Sequence, residues 1–148
     1  MLYIASDHAG FQLKKEIIKY IKTVLNKEVE DLGPTAFVET DDFPDFAIPL
    51  AKAVAKNKDS FGILICGTGH GMCIAANKIK GAYGIMGYNL QATELGRKHN
   101  NANVLCLAGR ILPSVDFAKA IVKKFLETKF DGDARFVRRN NKIKELEK

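Results

Sequence analysis

The residue types best suited to chemistry are concentrated in one stretch, Phe61–Lys78, with the sequence FGILICGTGHGMCIAANK. A short apolar run that ends at Cys66 predicts a buried strand of a parallel sheet. The glycines that follow predict a sharp turn with open backbone amides, and the small residues from Met72 to Lys78 predict a helix. Amides at a helix N-terminus favour an anion, and there Cys66 could ionise and act as nucleophile or base. The turn comprises Gly67, Thr68, Gly69, His70 and Gly71.

The same stretch has simpler interpretations. Many glycine-rich turns are only structural, and a free cysteine such as Cys66 is often just a small buried hydrophobe. The dinucleotide fingerprint G-x-G-x-x-G fails, because its last position is Met72 counted from Gly67 and Ile74 counted from Gly69. No Gly-Lys-Ser/Thr follows, so the P-loop pattern fails as well. A phosphate or oxyanion site is the interpretation we favour.

Five further residues that could carry chemistry lie elsewhere in the chain. Asp7 and His8 follow the first predicted strand, at the edge where open α/β sheets bind ligands, although Asp7 could simply cap a helix. His99 follows a predicted helix, where a surface residue or cap is the simpler alternative. Arg135 and Arg139 are four residues apart, so they share a helix face and suit a phosphate group. A solvated terminal helix is the alternative for that segment.

The elements that must position these residues alternate along the chain, which predicts an α/β fold. We expect one domain over residues 1–148, a doubly wound, Rossmann-like sheet of five parallel strands in a three-layer α/β/α sandwich. The predicted strands are Leu2–Ser6, Glu28–Leu32, Ile63–Cys66, Ala82–Gly87 and Val104–Ala108. The predicted helices run from about Phe11 to Leu25, Asp45 to Lys56, Met72 to Lys78, Leu90 to Lys98, Ser114 to Glu127 and, as a basic C-terminal helix, Phe136 to Leu146.

Composition excludes several classes of protein. The 148 residues are 47% hydrophobic and 27% charged, which is typical of a globular protein with a real core. The chain starts directly in a predicted strand and has no apolar run of membrane-spanning length, so we expect neither a signal peptide nor a membrane segment. Its three cysteines show no C-x-x-C spacing, which favours reduced thiols in a cytoplasmic protein over disulfides or a zinc site.

The net charge of +6 could suggest a nucleic-acid partner. Most of the excess positive charge lies in residues 135–148, which contain six basic residues and two acidic ones. Aromatic residues for base stacking are almost absent there, so we expect no nucleic-acid partner and favour a local pocket for a small phosphorylated substrate. An RNA-binding module that uses the basic tail is the alternative.

Taken together, the motifs resemble one family, the type B ribose-5-phosphate isomerases. The resemblance covers essentially the whole chain, and the motifs follow the family's order. They are Ser6-Asp7-His8-Ala9-Gly10, the segment Ile65–Gly71 with Ala75-Ala76-Asn77-Lys78, Arg97-x-His99-Asn100 with Asn103-Val104, Gly109-Arg110, and the pair Arg135 and Arg139. One departure is Tyr83, which stands close to where the family usually has an arginine.

The resemblance implies an aldose–ketose isomerase that interconverts ribose 5-phosphate and ribulose 5-phosphate without a metal or other cofactor. It implies that Cys66 moves a proton between C1 and C2, and that Thr68 and the glycine-loop amides hold the enediolate oxygens. It further implies that His99 helps to open the furanose ring and that Asp7 contacts sugar hydroxyls. The remaining substrate-binding positions are His8, Asn100, Arg110, Arg135, Arg139 and the loop residues Gly67, Gly69, His70 and Gly71, with His70 at a position that could alter sugar preference.

The resemblance also implies assembly. The family's sites lie between two subunits, with the loop of His99 and the position of Arg110 supplied by the partner of the chain that supplies Cys66. The small-residue helix Met72–Asn77 suits close packing against another surface. We therefore expect a homodimer, or a dimer of dimers, with composite sites.

Two other functions stay open from the sequence. One is isomerisation of a six-carbon sugar phosphate such as allose or galactose 6-phosphate, because pocket length depends on loop conformation. The other is a flavodoxin-like domain that binds a phosphate or nucleotide without catalysis. A bare binder has no need of Cys66, Asp7 and His99 together at the ends of strands and helices.

Overall fold

The computed structural model describes residues 1–148 and has one five-stranded parallel sheet at its centre. The strands lie in the order β2-β1-β3-β5-β4. They are β1 (Leu2–Ser6), β2 (Glu30–Asp31), β3 (Phe61–Cys66), β4 (Gly84–Met86) and β5 (Val104–Ala108). The α/β fold predicted from the alternation of apolar runs and amphipathic segments is confirmed, and both β1 and β5 have the predicted bounds.

Six α-helices accompany the sheet. They are α1 (Phe11–Thr23), α2 (Pro44–Lys56), α3 (His70–Asn77), α4 (Leu90–Asn100), α5 (Val115–Glu127) and α6 (Ala134–Lys144). Ser114 caps α5, since its hydroxyl accepts a hydrogen bond from the Phe117 amide at 3.0 Å. Two predicted strands are shorter in the structure, because the edge strands β2 and β4 pair over only two and three residues.

Two apolar layers hold the helices against the sheet. On one face, alternate strand side chains such as Ile4, Ile63 and Leu105 pack against α1 and α5. On the other, Ala5, Leu64 and Cys66 belong to the layer that packs against α2 and α3. Because side chains alternate along a strand, Cys66 lies on the face that α3 covers. No helix is both long enough and apolar enough to cross a membrane.

The strand order reverses beside β1. The chain passes from β1 to β2 on one side and then, through α2, to β3 on the other side. In open α/β sheets, ligands bind outside the carboxyl ends of strands at such a reversal. The residues that follow β1 and β3 are Asp7 and Gly67, so both motifs singled out in the sequence meet at this point.

Candidate active site

Cys66 is the last residue of β3 and is 4% exposed. The backbone amide of Gly69 donates a hydrogen bond to its Sγ at 3.1 Å. Gly69 is the N-cap of α3 and has a φ of +78°, a left-handed conformation that favours glycine. The turn thus bends the chain back so that an amide points at the thiol, an arrangement that stabilises negative charge on sulfur.

The first turn of α3 forms the anion-binding end of this segment. The helix begins at His70, two residues earlier than predicted, so the amides of the glycine turn belong to the helix terminus. The side chains of Thr68 and His70 are exposed, and the Thr68 hydroxyl accepts from the His70 amide at 3.4 Å. Phe43 closes one side, because a Cβ placed on Gly71 would lie 2.7 Å from its Cζ.

The other two cysteines differ from Cys66 in their surroundings. Cys106 is fully buried, and a hydrogen bond with Cys73 together with burial raises the pKa of the Cys106 thiol well above its usual value. The same hydrogen bond lowers the pKa of Cys73, which is 9% exposed. Only Cys66 lies at a strand end with an amide of the glycine turn as its partner.

Asp7 is held beside β3 by its backbone. Its amide donates to the carbonyl of Ile65 at 3.2 Å, and its Oδ1 accepts from the Gly10 amide at 3.1 Å. Gly10 is required for this close approach, since a Cβ there would lie 2.3 Å from the Ile65 carbonyl oxygen. Asp7 therefore does cap the short 3₁₀ helix His8–Gly10, and it also lies one residue beyond the strand that neighbours Cys66.

His8 has a carboxylate partner that the sequence did not indicate. Its Nδ1 lies 2.7 Å from Oδ1 of Asp41, and its backbone amide donates to the same oxygen at 3.0 Å. Side-chain ligand atoms of Asp7, His8 and Asp41 lie within 4.8 Å of one another. Carboxylates and imidazoles are residue types that could hold a cation. Asp41 comes from the irregular segment before α2, which has no periodicity to reveal such a pairing.

Arg110 lies in the same chain beside the glycine turn. Its amide donates to the carbonyl of Gly67 at 3.0 Å. A Cβ on Gly67 would lie 3.3 Å from the Cδ of Arg110, so the side chain covers that turn. Within one chain Arg110 therefore lies beside Cys66, whereas the resemblance implied that the partner supplies this position. The cause is the adjacency of β3 and β5, which brings the segments after both strands together.

His99 lies at a different place. The prediction that it follows a helix as a loop residue is wrong, because α4 continues through His99 to Asn100. Its ring stacks on Phe136 of α6, with centroids 4.1 Å apart. The guanidinium carbons of Arg135 and Arg139 lie 4.7 and 5.9 Å from the centroid of the Phe136 ring. The two arginines do share one helix face, as predicted. Both contact the Phe136 ring on which His99 stacks.

Buried polar contacts fix this second group. Asn140 of α6 donates to the His99 carbonyl at 2.7 Å. Arg97, 5% exposed, donates to the carbonyls of Ala102 and Thr128, and burial lowers the pKa of its guanidinium. Because these contacts join α4 to α6 and to the start of β5, His99 is held on a rigid element. Neither Phe136 nor Asn140 carried a sequence signal for this role.

The structure thus divides the predicted residues between two ends of the sheet. Helix α4 runs back from the carboxyl end of β4, so His99 lies near the amino end of β5. Its neighbour Arg97 stacks on Phe61, the first residue of β3, whereas Cys66 is the last. We name the groups the thiol half-site, comprising Cys66, residues 67–71, Asp7, His8 and Arg110, and the histidine half-site, comprising His99, Asn100, Arg135 and Arg139.

The fold and the thiol half-site define a doubly wound α/β protein with a reactive residue type at its ligand-binding edge. The family model described as "Ribose/Galactose Isomerase" matches residues 2–143 of this chain. The chain therefore belongs to the ribose/galactose isomerase family.

Individual relatives agree with this assignment. The chain is 47% identical to a probable ribose-5-phosphate isomerase B of Mycoplasma genitalium, an alignment that covers 99% of this chain and 95% of that protein. It is 36% identical to the ribose-5-phosphate isomerase B of Mycolicibacterium paratuberculosis, over 99% and 91% of the two chains. The crystal structure of the Mycoplasma genitalium enzyme, which contains bound ribulose-5-phosphate, has a TM-score of 0.93 to this structure, with 46% identity over 99% and 95% of the chains.

Proposed function

We propose that this protein interconverts ribose 5-phosphate and ribulose 5-phosphate. The observation that carries the proposal is the thiol of Cys66, held at 3.1 Å by the Gly69 amide at the strand reversal of a chain of this family. Support comes from the relatives named ribose-5-phosphate isomerase B and from the ribulose-5-phosphate bound to the Mycoplasma genitalium protein.

In the proposed reaction, the Cys66 thiolate removes the proton from C2 of the open-chain aldose. The electron pair passes through the C1–C2 bond to the carbonyl oxygen, which gives an enediolate. Cys66 returns the proton to C1, and the hydroxyl proton moves from O2 to O1, which completes the ketose. The Thr68 hydroxyl and the amides of residues 67–71 other than Gly69, whose amide binds Cys66, stabilise the developing oxyanion. Fixed donors perform this role best in a dry site. General-base catalysis of this kind contributes about 10²–10⁴-fold.

The other residues of the two half-sites bind and prepare the substrate. Asp7 and His8 contact the sugar, and Arg110 and His70 lie beside the glycine turn where they can contact its oxygens. His99 and Asn100 act on the ring form, with His99 assisting furanose opening. Arg135 and Arg139 bind the phosphate, whose binding energy orients the reacting carbons at the far end of the molecule.

The position of the two half-sites supports a composite site in a homodimer. Strand β3 has six residues and spans about 16 Å at 3.3 Å per residue, and the two half-sites lie beyond its opposite ends. A pentose phosphate is shorter than this span, so one chain cannot close both half-sites around it. A two-fold axis lets the thiol half-site of one subunit meet the partner subunit's His99, and it creates two equal sites.

The surface around the thiol half-site suits contact with a second copy. Ile74 on the exposed side of α3, Tyr88 and Ile111 are 62%, 63% and 68% exposed. A groove of about 530 Å³ runs between Thr68, His70, Tyr88 and Ile111, next to the glycine turn. Large apolar side chains gathered around a site are typical of interfaces, and covering them also protects an enediolate from water.

The three unpaired thiols fit a reducing compartment such as the cytoplasm.

Subunit mixing tests the composite site. By this account the Cys66→Ala and His99→Ala proteins each lack activity on ribose 5-phosphate, and a mixed dimer has one site in which both residues are intact. A 1:1 mixture after exchange should regain about a quarter of wild-type activity, because half the dimers are mixed and each has one working site. Cys66→Ala mixed with Arg110→Ala is the control, and it should gain nothing, since both changes fall in the same half-site. If native mass spectrometry shows exchange and the first mixture stays inactive, the site is built within one chain.

Substrate choice is tested by comparing kcat/KM for ribose 5-phosphate with that for allose and galactose 6-phosphates. We expect the five-carbon substrate to be preferred. The six-carbon alternative, which the description of the family also covers, is adopted if the preference is reversed.

A further inference from the structure

Asp41 makes an unusual double contact with His8. One oxygen, Oδ1, accepts the backbone amide of His8 at 3.0 Å and lies 2.7 Å from its Nδ1. The Asp41 side chain is 9% exposed and that of His8 is 25% exposed. A buried carboxylate at this distance holds a proton on Nδ1, so the other ring nitrogen, Nε2, remains for a ligand.

The ring of His8 is also restrained from the side. Phe37 packs its edge against the imidazole, with centroids 6.4 Å apart and an angle of 82° between the rings. Phe37 makes a second edge contact with Phe11 at 6.1 Å, which fixes it to the first turn of α1. A backbone contact, a side-chain contact and an aromatic contact together restrain the orientation of the imidazole.

The surroundings of the second carboxylate oxygen of Asp41, Oδ2, indicate that the Asp41–His8 pair has a function beyond stabilising the fold. Oδ2 is buried without a hydrogen-bond partner, which is costly for a carboxylate. The carboxylate of Asp7 lies within the same 4.8 Å cluster. The Nδ1–Oδ1 contact has the length of a charge-assisted hydrogen bond and leaves no room for an ion between the two atoms. The strongest partner of Asp41 is therefore His8.

We propose that Asp41 is a positioning residue that holds the His8 imidazole with its proton on Nδ1 and its Nε2 directed at the sugar phosphate in the thiol half-site. This inference rests on the proposed function, in which His8 contacts the substrate. Asp41 itself does not touch the substrate. It acts through His8, as an outer carboxylate orients a histidine in other active sites.

The test uses Asp41→Asn, because an amide keeps the shape and can still accept the His8 backbone amide. The matched control is Asp42→Asn, which removes the same charge from the next residue, whose side chain is exposed. Asp41→Asn should raise KM for ribose 5-phosphate about tenfold, the loss expected for one hydrogen bond to a charged group. Asp42→Asn should stay within about twofold of wild type.

A double-mutant cycle separates positioning from a general structural effect. In a His8→Ala background, Asp41→Asn should have little further effect on KM, because the residue through which Asp41 acts is gone. An unchanged KM in Asp41→Asn, or an equal loss with and without His8, overturns the proposal.

A second measurement does not depend on turnover. Nitrogen-15 NMR of the His8 ring should show a protonated Nδ1 in the wild-type protein and a changed proton distribution in Asp41→Asn. If no sugar phosphate is isomerised, the proposed function fails, and the NMR spectrum still decides whether Asp41 controls the ring. Identical His8 spectra in both proteins would overturn the positioning role.

Discussion

Replacing Gly69 with alanine tests how the glycine turn holds the thiol. Gly69 has a φ of +78°, and a Cβ there would lie 2.7 Å from Cε of Met86 and 3.1 Å from the carbonyl carbon of Leu107. The Met86 methyl can rotate away, but Leu107 belongs to the backbone of the central strand β5 and cannot move freely. The new side chain must therefore displace the turn itself.

The structure gives the size of the effect. A left-handed conformation costs an L-residue about 1–2 kcal/mol, and overpacking a tight contact costs about 1–3 kcal/mol more. We expect Gly69→Ala to lower the free energy of unfolding by about 2–5 kcal/mol. We also expect kcat to fall, because the displaced amide is the one that donates to Cys66.

Gly132→Ala is the matched control. Gly132 has a φ of +74°, but a Cβ there meets no atom within 4 Å. It should lose only the conformational part, about 1–2 kcal/mol, with kcat close to wild type. Urea unfolding and steady-state turnover of both variants measure the difference. Equal losses of stability, or an unchanged kcat in Gly69→Ala, would refute the account of this turn.

Three further changes test other parts of the account. Arg135→Ala and Arg139→Ala should each raise KM for the phosphorylated sugar, since a charge-assisted contact contributes roughly 1.5–3 kcal/mol. His99→Asn should lose turnover of ribose 5-phosphate but retain that of the ribulose phosphate, which has no furanose ring to open. Tyr83→Phe should cost about 1 kcal/mol after allowance for solvent screening, because it loses a 3.0 Å hydrogen bond to Glu147. Burial and Glu147 raise the pKa of Tyr83 from 10.0 to about 12, so this stability is complete below pH 10 and is lost as pH rises through 12.

Each of these changes has a clear contrary result. Arg138→Ala is the control for the arginines, since Arg138 is exposed on the same helix, whereas Arg135 and Arg139 make the cation–π contacts to Phe136. Equal KM values in all three variants would remove α6 from the site. Equal losses of kcat in both directions would undo the role of His99. A wild-type advantage over Tyr83→Phe that persists above pH 12 would show that the hydroxyl acts through something other than its proton.

The central strands could be predicted well from the sequence, because buried parallel strands consist of nearly continuous apolar residues. The short apolar runs at Val104–Ala108 and ending at Cys66 therefore both predicted strands. Edge strands were less well predicted, since Glu30 and Asp31, which pair with β1, are both polar and exposed, so the strand has no apolar signal.

The residue types of the candidate site were predicted from motifs, and it was the resemblance to a family that implied different subunits for Cys66 and His99. Motifs place Cys66 and His99 in the chain, yet only the direction of α4 shows that His99 lies at the other end of the sheet. The pairing of His8 with Asp41 depends on the path of an irregular loop, which no periodicity encodes. The position of Arg110 beside the glycine turn of its own chain depends on the adjacency of β3 and β5, which is a property of strand order.

The central claim is that Cys66 is the base of a ribose-5-phosphate isomerase. The most direct measurement is a proton NMR time course of ribose 5-phosphate with the wild-type protein and with Cys66→Ala, together with substrate affinity for each. The account predicts conversion to ribulose 5-phosphate by the wild type, and a loss of about 10²–10⁴-fold in kcat with affinity largely kept in the variant. No conversion by the wild type, or more than about a tenth of its kcat in Cys66→Ala, would contradict it.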